Sequence, residues 1–152
     1  MSYTEIFKFD KNGNSHEFAG VSNAYRGSMA VWNYLGEKYL GQGASVFNLE
    51  HMKRIWNLAN NAEVPREERI VLGTTFDKCL IRKEEIPVVV DAFRKFEIKT
   101  SLNEQADILE ELCEDEDCIA VGWHQNSISC DMWTEYNCLE QTDHFWLFDD
   151  LD

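Results

Sequence analysis

Four side chains of the kinds that bind soft metal ions, Cys118, His124, Cys130 and Cys138, fall within twenty-one residues. Their order is C-x5-H-x5-C-x7-C. A structural zinc site is usually built on close C-x2-C pairs, in which one short turn presents two thiolates, and this spacing has none. The thiols read instead as small buried apolar groups, with His124 as a strand histidine. His124 also precedes Ser127, Ser129 and Asp131, the residue types of a base and its nucleophile, but no nucleophile elbow or oxyanion glycine motif surrounds them. Gly41-Gln42-Gly43 lacks the third glycine and the following Lys-Ser/Thr of phosphate-binding loops, so it marks a helix stop. Glu114-Asp115-Glu116-Asp117 has no EF-hand alternation, sharp-turn glycine or distal glutamate. We therefore expect no metal, no cofactor and no catalytic residue. The enzymatic alternative is a small-molecule pocket around Trp32, Trp56 and His124.

Carboxylates are the other chemical group present in quantity. Residues 1–62 hold six Lys/Arg against five Asp/Glu, and residues 63–100 hold eight of each. Residues 101–152 hold fifteen Asp/Glu and no Lys or Arg, which accounts for the net charge of −14. Such a surface repels phosphates and acidic membranes over a Debye length and speeds encounter with basic proteins. Direct nucleic-acid and membrane binding are thus disfavoured, and a basic protein is the expected partner. Glu104, Asp107, Glu111 and Glu114 recur along one helical stripe at a mean rise of about 5 Å, within the roughly 3.4–7 Å scale of nucleic-acid phosphates. The stripe continues into Asp115, Glu116 and Asp117. Charge sets rate and selectivity, whereas affinity needs apolar anchors. Trp133, Trp146 and Phe148 are the aromatic candidates for that task, while Trp123 reads as core.

These groups need a scaffold. A chain of 152 residues fits one domain, here 1–152, which can bury about two-thirds of its unfolded surface. Five cysteines, an odd number in no disulfide framework, suit a reducing compartment. With no signal-peptide pattern at Met1-Ser2-Tyr3-Thr4-Glu5 and no apolar run of membrane-spanning length, a cytoplasmic location is expected.

Alternation over Tyr3–Phe9, turn residues Asp10–Asn14 and resumption at Ser15–Phe18 predict a β-hairpin. Helical spacing predicts a helix from Asn23 to Leu40 with Met29, Trp32, Leu35 or Gly36, and Tyr39 inward. A second helix is expected from Leu49 to Asn60, capped by Asn48. Pro65-Arg66-Glu67-Glu68 opens a short helix. A strand over Thr75–Arg82 and a helix over Glu84–Glu97 with Val90, Phe93 and Phe96 inward follow. Ser101 and Glu104 are expected to form a capping box for a helix running to Cys113. Cys118–Trp123 and Ile128–Trp133 read as a second hairpin around Asn126-Ser127. The fold class is α+β: one antiparallel sheet, with the N-terminal hairpin in it, packed against four to five helices.

The stretches Phe9-Asp10-Lys11-Asn12-Gly13, Ser101–Leu112 and Asp117–Trp123 resemble small acidic proteins of bacteriophages and prophages of Gram-positive bacteria. The resemblance implies no catalytic residue. It implies an accessory protein that binds and blocks a host or defence protein, as anti-CRISPR and anti-restriction factors do. The expected partner is then a bacterial nuclease or another nucleic-acid-binding protein. An immunity protein or antitoxin against a basic nuclease would use the same surface.

Overall fold

The computed structural model describes residues 3–22, 27–45, 47–76, 78–98, 100–125 and 144–151. Asp10 builds the first turn, because its Oδ1 accepts the backbone N–H of Asn12 at 2.9 Å and of Asn14 at 3.0 Å. Gly13 takes the positive φ of 79° that the turn requires. This joins β1 (Tyr3–Phe9) to β2 (Ser15–Ser22) in the expected antiparallel hairpin. The register shifts after Ile6, which faces Ala19, whereas Phe7 faces Glu17. Phe18 is therefore the extra residue of a β-bulge.

The first helix, α1 (Ser28–Leu40), ends at Gly41 in the left-handed conformation. Residues 23–26, where the helix was expected to begin, lie outside the described residues. Its inward face is Val31, Trp32, Leu35 and Gly36, and Met29 is exposed. Trp32, Leu35 and Gly36 are inward as expected and Tyr39 is half-buried, so Met29 alone departs from the expected stripe. α2 (Leu49–Trp56) starts at Asn48, whose side chain accepts the His51 N–H at 3.1 Å, and a 3₁₀ turn, Asn57–Asn60, completes it. α3 (Arg66–Gly73) keeps Ile70, Val71 and Leu72 helical and buried. Thr74 and Thr75 return their hydroxyls to the carbonyls of Val71 and Leu72. That closes the helix and shortens the expected strand to β3 (Cys79–Arg82).

A 3₁₀ turn at Lys83–Glu85 leads into α4 (Ile86–Lys95), with Pro87 in its first turn where a missing N–H costs nothing. α5 (Leu102–Cys113) buries Leu102, Ala106, Leu109 and Leu112. The expected capping box does not form. Ser101 is buried at φ −75°, ψ 3°, its hydroxyl accepts from the Gln105 amide at 3.0 Å, and Thr100 takes the Leu102 N–H instead.

β4 (Ala120–Gln125) lies between β1 and β3, antiparallel to both. The expected partner strand Ile128–Trp133 lies outside the described residues. β5 (Phe145–Trp146) adds to β3 in parallel, and α6 (Leu147–Leu151) follows. The sheet order is β2-β1-β4-β3-β5. The fold is α+β as expected, and the parallel β3–β5 pair among the described residues makes the sheet mixed.

Strand alternation divides the core. Ile6, Cys79, Ile81, Val121 and Trp123 face the helices and belong to the large cluster. Phe7, Phe9, Leu80 and Ala120, with Trp146 against them, form a smaller cluster on the other face. No helix among the described residues is long and apolar enough to cross a membrane.

Candidate acidic interface

α5 has two faces because its apolar residues recur every three to four positions. With Leu102, Ala106, Leu109 and Leu112 on the sheet, Glu104, Asp107, Glu111 and Glu114 are all exposed, on the side the sequence assigns to them. The helix is held in place by a buried contact to β4, since the Trp123 indole N–H donates to Gln105 Oε1 at 3.0 Å.

Among the described residues, the charge that is segregated along the chain is partly cancelled in space. Arg94 on α4 reaches over to α5, where its Nη2 lies 2.8 Å from Asp107 and 2.7 Å from Glu110. Those carboxylates hold its guanidinium proton still more firmly than usual. Lys8 on β1 meets Asp115 at 2.6 Å and Asp117 at 3.6 Å. Its ammonium hydrogen bond holds the Asp115 carboxyl below the usual aspartate value. Lys83 donates to the Asp115 carbonyl at 2.7 Å, so the 114–117 turn is pinned from two sides. Of the acidic candidates, Glu111, Glu114 and Glu116 are exposed and make no ion pair among the described residues.

Two of the three aromatic candidates are also engaged. Trp146 is half-buried under the Arg82 guanidinium, 4.4 Å from its ring, and Arg82 reaches on to Asp149 at 3.2 Å. Phe148 is half-buried with Arg66 5.3 Å from its ring. Trp133 lies outside the described residues. Among the described residues, the most exposed large apolar side chain has no role in the sequence-based expectations: Phe47 at 97%, with Leu49 beside it at 58%. Both sit at the entry to α2, where Asn48 claims the cap and leaves its neighbours facing out. A second feature without a sequence signal is an open groove of about 450 Å³ between α4 and α5, floored by Ile86 and Val90 and rimmed by Asp91, Arg94, Glu110 and Glu114.

Of the residues considered for metal or small-molecule chemistry, those described do not gather at one site. Cys118 is buried, and loss of hydration pushes its thiol pKa up to about 11. It behaves as an apolar group. His124 lies further along an extended strand that rises about 3.3 Å per residue. There it is buried, with Nδ1 3.1 Å from Glu5. Cys130, Cys138, Ser127, Ser129 and Asp131 lie outside the described residues. Trp32 and Trp56 meet edge to face at 5.5 Å on the helical side of the sheet, and alternation from Trp123 turns His124 to the opposite side. The three do not share a pocket. A cleft of about 230 Å³ does open among Phe76, Phe145 and Leu147, with Arg69 and Asp150 as polar lining. It is smaller than the roughly 300–1,000 Å³ of ordinary ligand sites.

Comparison with family models, with curated proteins and with solved structures finds no match. The functional reading rests on the residues.

Proposed function

We propose that this chain is a cytoplasmic protein-binding inhibitor of the phage accessory kind. It presents α5 and the 114–117 turn to a basic, nucleic-acid-handling bacterial protein and occupies the groove in which that partner holds nucleic acid, as an anti-CRISPR or anti-restriction factor does. The observation that carries the reading is the row of Glu104, Asp107, Glu111 and Glu114, exposed together on a helix whose other face is anchored in the core. Successive carboxylates three or four residues apart advance about 4.5–6 Å along the axis, a phosphate-like interval. Arg94 and Lys8 do not remove these acids from use, because ion pairs at a surface contribute only about 0–1 kcal/mol and exchange readily for a partner's cations.

The test replaces the row by amides, E104Q, D107N, E111Q and E114Q together. Wild type should capture basic proteins from a bacterial lysate at low salt and less at moderate salt. It should also release a captured protein's nucleic acid in a competition assay. The variant should melt as wild type does and lose both effects. Capture of nothing basic by wild type, or an unchanged partner set and salt dependence in the variant, would overturn the proposal.

A further inference from the structure

Arg94 shows what the α5 face takes. Asp107 and Glu110, three residues apart, converge on one guanidinium nitrogen. Four residues on, Glu111 and Glu114 repeat that spacing and are exposed. They stand at the C-terminal end of the helix, whose last turn has no basic residue and whose carbonyl dipoles favour a cation. The groove between α4 and α5 runs beside them. Ile86 is buried at its floor, Val90 and Cys113 are half-buried, and Asp91, Arg94, Glu110 and Glu114 line it, with Glu110 paired to Arg94 and Asp91 to Lys95.

We propose that this groove is the anchoring pocket of the acidic interface and receives a cationic amphipathic segment of the partner. One apolar side chain seats on Ile86, Val90 and Cys113 while an adjacent Arg or Lys engages Glu111 and Glu114. Charge complementarity selects this occupant: three carboxylates line the groove against one guanidinium, Arg94, which is held by Asp107 and Glu110, so Glu114 with its neighbour Glu111 is left to a partner's cation. The inference rests on the acidic-surface reading and adds to it a place where affinity, and not only attraction, resides.

The probe is a fluorescein-labelled synthetic helical peptide with Leu on one face and Lys/Arg on the other, read by polarisation. A control peptide keeps the charges and replaces Leu by Ser. V90K and V88K each add one positive charge to α4, but only Val90 lines the groove; Val88 is exposed outside it. E114Q and E63Q each remove one exposed negative charge, the first at the rim and the second far from it in sequence. Binding should fall at least about tenfold in V90K and E114Q and for the Ser peptide, and less than about twofold in V88K and E63Q. Melting curves accompany each variant, and if V90K fails to fold the exposed E114Q decides. Equal losses in the paired variants, or no peptide binding by a wild-type protein that still captures basic proteins, would overturn the groove and leave the acidic surface standing. Failure to bind any basic protein would overturn both.

Discussion

The Trp123 indole N–H donates to Gln105 Oε1 across the interface between β4 and α5, with both side chains almost wholly buried. Gln105 in turn donates to Ser101, so one amide joins the sheet to the helix start. Replacing Gln105 by Leu keeps the bulk and orphans the indole N–H, which should cost about 1–3 kcal/mol. Urea unfolding measures it. A W123F/Q105L double-mutant cycle should show that the two losses are not additive, and additive losses would separate the residues energetically.

Stability should fall in acid through Asp115. Lys8 holds its carboxyl below the usual aspartate range, so the native state prefers the ionised form more than the unfolded chain does. That contribution is complete above the unfolded pKa and is lost as pH falls through the lowered folded one. Asp10, lowered by its hydrogen bond to His16, acts in the same direction. The D115N variant should therefore show a flatter loss of stability below about pH 4. Identical stability-against-pH curves for the two proteins would refute this role.

Gly36 lies inside α1, where alanine is intrinsically better by about 1 kcal/mol. An added Cβ would stand 2.6 Å from the Gln42 carbonyl oxygen and 2.9 Å from Ile55 Cδ1. The carbonyl belongs to the backbone that closes the helix, so it cannot move cheaply. G36A should lower the melting temperature despite the propensity gain, in line with the about 1–3 kcal/mol cost of overpacking.

Thiol reactivity should divide by burial. Cys113 is half-exposed, whereas Cys79 and Cys118 are buried with their thiol pKa values raised by lost hydration. Brief alkylation of the native protein, read residue by residue by mass spectrometry, should modify Cys113 ahead of both. Equal rates at the three would contradict the packing.

The sequence disclosed most where one element's own periodicity decides the outcome. The β1–β2 hairpin follows from Asp10 to Asn14, and the exposed row on α5 follows from helical spacing alone. What it concealed depends on distant parts of the chain. Nothing near Asp107 indicates that Arg94 would neutralise it, and the partner of Asp115 is Lys8, 107 residues away. The charge imbalance of the last third was legible, and its partial cancellation was not. β5 has two residues, too few to show a period, and its parallel pairing follows from where the chain returns. The Ser101 capping box failed because burial gave its hydroxyl a different partner, Gln105.

The interior position of β1, between β2 and β4, bears on synthesis. Thr4 bonds to Gln125, 121 residues later in the chain. At about 5–20 residues per second, roughly 6 to 24 s separate the two as the ribosome works. During that interval the nascent hairpin carries Ile6, Phe7 and Phe9 on a strand whose second edge has no neighbour, a template for pairing with any other extended chain. A factor that shelters nascent chains must cover that edge until β4 emerges, so production in its absence should yield aggregate whose contacts begin at β1.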